Sequence, residues 1–366
     1  MTQPIQNGYL LIADISGFTS FIADTELDHA QAIIRQVLDG LLRNLTPTMN
    51  FCEVEGDAVF VYGLAEQVSR GELIAELIES TYAGFRDQQR TMIRNATCPC
   101  QACRAISGLD LKFVVHYGEF VLQELAGKTG PVGSSVNLVH ALLKNRVGEQ
   151  TGWQAYALYT AQALGQMGLP PDGMHRDAEH REHLGTFATY STDLNARYET
   201  LCETRRIFID KQDAHFEVVR DVGAARPVVW DWLNDTDKRT RWTMHTAWSA
   251  VTRPGGRTGP NASNHCATYN AIEYILDWRP FDYYTVRITR HGLDLLITVS
   301  LEELEDGTRM RWRMKVELPL PRWLLEKMAG LMESRQLRLQ VKFDEMERLI
   351  AEERRGRSSL PESAQP

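Results

Sequence analysis

The chain alternates between two rhythms of apolar and polar residues. Tyr9 to Ala13 is a continuous apolar run, which predicts a buried strand. From Leu27 to Leu42 the apolar residues Ala30, Ile33, Ile34, Val37, Leu38, Leu41 and Leu42 recur at helical spacing. Phe51 to Tyr62 predicts a hairpin that turns at Glu55-Gly56-Asp57. A helix follows from Leu73 to Met92, then a strand from Leu111 to Gly118. Next comes a helix over Val136 to Leu143, after a Gly133-Ser134-Ser135 turn, and a strand from Thr186 to Leu194. Strands interleaved with helices indicate an α/β or α+β first domain. The polar run holding His175, His180 and His183 reads as a solvated linker, because its histidines are flanked by Arg and Glu.

Beyond residue 200 the rhythm shifts to period two. Phe216 to Val222 alternates, Ala225 to Leu233 is a short helix with Pro227 in its first turn, and long strands follow. These cover Ala267 to Trp278, Tyr283 to Thr289, Leu293 to Leu304 and Thr308 to Val316, the last two joined at Asp306-Gly307. After Pro319-Leu320-Pro321 one long helix is expected from Trp323 to about Glu352. Leu324, Met328, Leu331, Met332, Leu339, Val341, Met346, Leu349 and Ile350 form its buried face. The expected organisation is a first domain over 1–199, a linker over 200–213, a second domain over 214–352 and a disordered tail over 353–366.

Charge and composition narrow the function. The chain has 366 residues, a net charge of −8 and 43% hydrophobic residues. An acidic chain without a basic stripe offers no footprint for nucleic acid. No window is apolar over the ~18 residues a membrane span needs, and the N-terminus lacks the basic and apolar regions of a signal peptide. Six scattered or locally clustered cysteines do not form a secreted disulfide framework. The expected compartment is the cytoplasm.

Asp14 and Asp57 stand at the edges of two apolar runs, so two carboxylates are expected to project from the ends of two core strands. Hard oxygen ligands on a rigid sheet suit Mg²⁺ or Mn²⁺ bound to a polyphosphate. The residues around them resemble class III nucleotidyl cyclases. Ala13-Asp14-Ile15-Ser16-Gly17-Phe18-Thr19 resembles the first metal motif of that family, and Glu55-Gly56-Asp57-Ala58-Val59-Phe60 the second. Val115-His116-Tyr117-Gly118-Glu119 is similar to its His-x-Gly strand, and Gly133-Ser134-Ser135-Val136-Asn137 to its Gly-x-x-Val-Asn helix start. The four motifs occur in the family's order across roughly residues 8–195. The resemblance implies a ferredoxin-like α+β fold and a site shared across a homodimer or heterodimer. It also implies attack of a nucleoside triphosphate's 3′-hydroxyl on its α-phosphate. Asp14 and Asp57 would bind the metal, Asn137 would orient the ribose, and Glu53 and Thr129 would contact the base. The family's Arg four residues after the Asn is here Ala141, with Lys144 or Arg146 a helical turn on, and a second base-reading position is Gly130.

Cys98, Cys100 and Cys103 suit a zinc knuckle, the alternative being reduced thiols in a turn. The fourth ligand, Cys52 or a histidine, would come from elsewhere in the fold. Cys202 and Cys266 are expected to be buried thiols. Residues 214–352 resemble START-like helix-grip proteins, the polyketide-cyclase and lipid-binding group, in which a curved antiparallel sheet around a long helix encloses an apolar cavity. His265 and Arg311 are its candidate polar groups. The combined expectation is cyclic-nucleotide synthesis regulated by a hydrophobic small molecule. Two alternatives stay open: a non-catalytic nucleotide- or small-molecule-binding signalling protein, and a START-like ligand carrier.

Overall fold

A computed structural model of the chain describes residues 4–358, except 69, 97, 99, 126, 245, 291 and 292. The chain divides into two compact units between Thr204 and Arg205, and the class is α+β. Among the described residues no helix is long and apolar enough to cross a membrane.

In chain order the first unit comprises β1 (Ile5–Ser16), α1 (Phe18–Asp24), α2 (Leu27–Leu45), β2 (Asn50–Glu55), β3 (Ala58–Leu64), α3 (Glu72–Asn95), α4 (Gln101–Ala105), β4 (Asp110–Leu125) and β5 (Lys128–Val132). It continues with α5 (Ser134–Ala141), α6 (Val147–Thr151), β6 (Tyr156–Thr160), α7 (Ala161–Met167), β7 (His175–Arg181), β8 (Gly185–Asp193) and α8 (Leu194–Glu203). Its sheet runs β2-β3-β1-β4-β6-β8-β7, with β5 paired to β4. The β4–β6 pairing is parallel and the others are antiparallel. β1 lies inside the sheet with both faces covered, so Tyr9 to Ala13 is apolar throughout rather than alternating.

Glycines let the central strands close up. Gly8 lies opposite Gly118 of β4 and Leu64 of β3. A Cβ at Gly8 would stand 2.3 Å from the Gly63 carbonyl oxygen, and one at Gly118 would stand 2.4 Å from Ser135 Oγ of α5. α5 therefore seats directly on the middle of the sheet. The expected linker around His175 is instead the edge strand β7. Its Glu179 is buried in an ion pair with Arg181, and its remaining charges face water or polar neighbours. Ion pairing, rather than apolar alternation, satisfies this strand, so the polar pattern concealed it.

The second unit comprises β9 (Phe216–Val222), α9 (Arg226–Asn234), α10 (Thr236–Trp242), β10 (Trp248–Thr252), β11 (Ser263–Cys266), β12 (Ala271–Arg279), β13 (Tyr283–Arg290), β14 (Leu293–Leu304), β15 (Gly307–Val316), α11 (Arg322–Met332) and α12 (Leu339–Ser358). The antiparallel sheet runs β10-β11-β12-β13-β14-β15-β9, and α12 packs on β9 and α10. This is the helix-grip arrangement. Two expectations need correction. The strand expected over Ala267–Trp278 begins only at Ala271, after a turn that pairs β11 with β12. The single C-terminal helix is broken, with a π-turn over Glu333–Leu337 and Arg338 in the left-handed region at φ 46°. Glu333 holds the break, because its carbonyl accepts from Arg338 N and its Oε1 accepts from Leu339 N at 2.7 Å, capping α12. The bend leaves Leu331 and Val341 exposed and buries Phe343. α12 runs past Glu352 to Ser358, and the rest of the expected tail lies outside the described residues.

Gly8→Ala drives a methyl into backbone that cannot yield. It should cost the first unit about 1–3 kcal/mol of stability, read as an earlier urea transition by circular dichroism.

Candidate functional site

The hairpin and β1 bring two carboxylates together. β2 and β3 are joined by the two-residue turn Gly56-Asp57, in which Gly56 takes φ 64°. Asp14 lies opposite Ala58, the residue after Asp57, and opposite Lys112 of β4 on its other side. Lys112 Nζ donates to Asp14 Oδ2 at 2.8 Å. Asp57 is in hydrogen-bond contact with Asp14. Burial, then the charge of Asp14, pushes the Asp57 carboxyl up to about 6. Burial opposes the Lys112 charge, but the hydrogen bond and charge of Asp14 outweigh it and raise the ammonium's pKa. One cation thus faces two half-buried acids. Lys112 was not foreseen from the sequence, since only the register of β1 on β4 reveals it.

None of the other residues singled out from the sequence makes a hydrogen bond or ion pair with these two acids among the described residues. Glu53 is exposed on β2, beside a bulge between Phe51 and Glu53. Thr129 is half-buried on β5. A Cβ at the adjacent Gly130 would lie 3.3 Å from Cys52 Sγ, which places β5 over β2. Glu55, rather than Glu53, meets α5, with its Oε2 3.3 Å from His140 Nδ1. Asn137 and Lys144 are exposed at α5 and just beyond it. His116 is buried with Nδ1 3.0 Å from Thr160 Oγ1, and burial drops its pKa to about 4, so it is neutral near pH 7.

The region of Ala141 does hold an arginine, but one from β7. Arg181 Nε donates to the Ala141 carbonyl at 3.1 Å, and its NH2 donates to the Lys144 carbonyl at 2.6 Å. These bonds satisfy carbonyls at the end of α5. Arg146 lies 3.4 Å from Asp177. Both guanidiniums are therefore engaged within the fold.

The cysteine segment packs on α2. Cys98, Cys100 and Cys103 gather with His29, and their ligand atoms all lie within 4.8 Å of one another. Cys52 is elsewhere, on β2, where burial pushes its thiol up to about 11. Cys266 is buried as expected, but Cys202 is exposed near the end of α8.

In the second unit a cavity of about 550 Å³ opens between the sheet and α10, α11 and α12. Trp242, Trp248, Tyr284, Leu295, Ile297, Trp312, Met328 and Leu331 are among its apolar and aromatic wall. Neither His265 nor Arg311 lines it, since His265 Nε2 lies 3.3 Å from Asn270 Oδ1 and Arg311 pairs with Glu302 at 2.5 Å. Its charged wall is Arg239, Glu273 and Lys342. Arg239 forks onto Glu273 through two bonds of 2.7 Å, and Asn264 Nδ2 donates to the same carboxylate at 2.8 Å. Burial opposes ionisation of Glu273, but Arg239 outweighs it and holds the carboxyl below its usual range. Arg239 Nε and Trp248 Nε1 are buried without a hydrogen-bond partner among the described residues. Burial lowers the pKa of Lys342.

A pH dependence follows from Asp57. Its carboxyl titrates near 3.8 when unfolded and about 6 when folded, so the folded state binds more protons between these values. Its contribution favours folding below about pH 4 and is lost as pH rises through 6. Asp57→Asn should flatten that part of the pH–stability curve and gain most over wild type above pH 6, measured by thermal denaturation across pH 4–8.

Comparison with known proteins gives two partial family matches. Residues 34–151 match a model described as "Protein of unknown function (DUF2652)", and residues 213–343 match one described as "Polyketide cyclase / dehydrase and lipid transport". A curated relative, "Uncharacterized protein Rv2561/Rv2562" of Mycobacterium tuberculosis, is 30% identical over 99 residues, or 27% of this chain and 46% of that protein. The match therefore spans less than half the length of that relative. Among solved structures, the guanylyl cyclase Cya2 matches at TM-score 0.40 and 14% identity, over 52% of this chain and 93% of its own. The adenylyl cyclase CyaB from P. aeruginosa matches at 0.40 and 12%, over 52% and 95%. Ara h 8.0201 matches at 0.30 and 15%, over 37% and 97%. The family models thus match a segment of each half, one of unknown function over residues 34–151 and one for polyketide cyclase/dehydrase and lipid transport over residues 213–343.

Proposed function

We propose that the first unit holds a divalent cation and a nucleoside triphosphate and, as a dimer, forms a cyclic nucleotide, under control of an apolar ligand in the second unit. The observation that carries this reading is the Asp14–Asp57 pair. Two carboxylates in hydrogen-bond contact, one of them resisting ionisation, are a donor set that a hard dication relieves, so the residues fit Mg²⁺ or Mn²⁺. Such an ion, bound by Asp14 and Asp57, would neutralise phosphate charge and lower the pKa of a bound hydroxyl. Lys112 tempers the charge of the pair, leaving a net negative site above about pH 6. Asn137 orients the ribose, Lys144 offers charge to the phosphates, and Glu53 and Thr129 contact the base. In this reading a partner subunit completes the site over the acids.

Ala141 favours a second reading, a module that binds metal and nucleotide without turnover. The loss of a positioned cation opposite developing negative charge costs on the order of 10²–10³ in rate, and Arg181 is committed to backbone carbonyls.

In the second unit, a largely apolar cavity with two unpartnered donors suits an apolar body that carries an acceptor oxygen. The Arg239–Glu273 pair stays intact beneath it, because separating either partner leaves a buried charge.

Pyrophosphate release and cyclic-nucleotide formation, measured with Mn²⁺ and each nucleoside triphosphate, decide between the two readings. The first expects matched products with one nucleotide, lost in Asp57→Ala. A thermal shift with nucleotide and Mn²⁺ but no turnover establishes the second. Ala141→Arg should then raise the rate, by up to ~10²–10³. For the cavity, a fluorescent long-chain fatty acid should bind to the full chain. Ile297→Trp should weaken it at least ~10-fold by filling the cavity, and Trp248→Phe should weaken it up to ~10-fold by removing one donor.

A further inference from the structure

We propose that His29, Cys98, Cys100 and Cys103 form a Cys₃His zinc site that fastens the segment before β4 to the start of α2. The four side chains come from two places in the chain and converge without any disulfide. All three cysteines are free thiols. His29 Nδ1 lies 3.1 Å from Cys100 Sγ and 3.7 Å from Cys98 Sγ, and no two ligand atoms of the four are more than 4.8 Å apart. Around a tetrahedral zinc with Zn–S of ~2.3 Å and Zn–N of ~2.0 Å, the ligands stand ~3.4–3.8 Å from one another. A small rearrangement, opening the His29–Cys100 contact slightly and drawing in the wider separations, therefore separates the present arrangement from a closed coordination sphere.

The scaffold beneath the cluster is organised independently of it. Glu26, at the start of α2, accepts from the backbone N–H groups of Gln101 and Ala102 at 3.1 and 3.0 Å. These bonds seat the first turn of α4 on α2, and they hold the Glu26 carboxyl below its usual range. His29 lies one helical turn further along the same face, so the contact that docks α4 also presents the imidazole to the thiols.

Three soft sulfurs and one imidazole nitrogen select zinc over hard cations. Four protein ligands leave no open position, so the site is structural. Its placement matters for the acids, since α4 leads into β4, which carries Lys112 and His116.

The full-length protein, purified without chelator, is expected to carry one zinc per chain by mass spectrometry of the metal. Cobalt substitution should give the intense visible bands of a tetrahedral thiolate site. Cys100→Ser and Cys103→Ser should each lose the metal while keeping the far-ultraviolet spectrum. His29→Cys, which keeps four soft ligands, should retain it, and so should Asp57→Ala, which separates this site from the carboxylate pair. The proposal is overturned if the wild-type chain takes up no zinc on reconstitution under reducing conditions. It is equally overturned if the triple Cys98→Ser, Cys100→Ser, Cys103→Ser variant binds as much as wild type, or if intact mass shows a disulfide among the three cysteines in chain isolated without oxidant.

Discussion

The first unit depends on where β1 sits. Flanked by β3 and β4, this strand must be apolar on both faces, and its glycine contacts leave little freedom in register. A slip of one residue would exchange the faces of every side chain along it. The same register puts Asp14 between the hairpin turn and Lys112, so the chemistry at the strand end is a by-product of how the core is locked. The site is rigid because its backbone cannot be elsewhere.

The two units handle buried charge in opposite ways. In the second, Arg239 and Glu273 are matched by a planar fork with Asn264 as a further donor, and the group is electrically complete. Removing one partner of such a pair typically costs ~3–5 kcal/mol, because the other remains charged and dry. In the first unit, Asp14, Asp57 and Lys112 do not balance, and Asp57 resists ionisation because it is partly buried and faces the charge of Asp14. A completed network belongs to architecture, whereas an incomplete one at the end of a sheet has capacity left for a partner.

Much of the fold was legible in the sequence where one face of an element is buried. α2, α3, the β2–β3 hairpin and the β13–β15 meander follow their apolar periodicity within a few residues. Two of the failures share a cause, which is polar groups satisfied by tertiary partners. β7 reads as linker because ion pairs, rather than apolar side chains, bury it. The break at Arg338 is invisible because a single carboxylate, Glu333, supplies the cap. At the site, the sequence showed that Asp14 and Asp57 would lie at strand ends. It did not show Lys112, Arg181 or His29, each of which reaches its partners only through strand pairing or helix packing. Arg239 and Glu273 were missed because the aromatic residues around them dominate the pattern.

The charged strand β7 also shapes how the protein behaves in a crowd. It ends the eight-stranded sheet with a row of histidines, arginines and acids, and a strand added there would have to strip them of water. The opposite edge, β2, is six residues long, bulged, and carries exposed Phe51 and Val54. Growth of the sheet by stacking one molecule on another is therefore blocked at one end and kept short at the other.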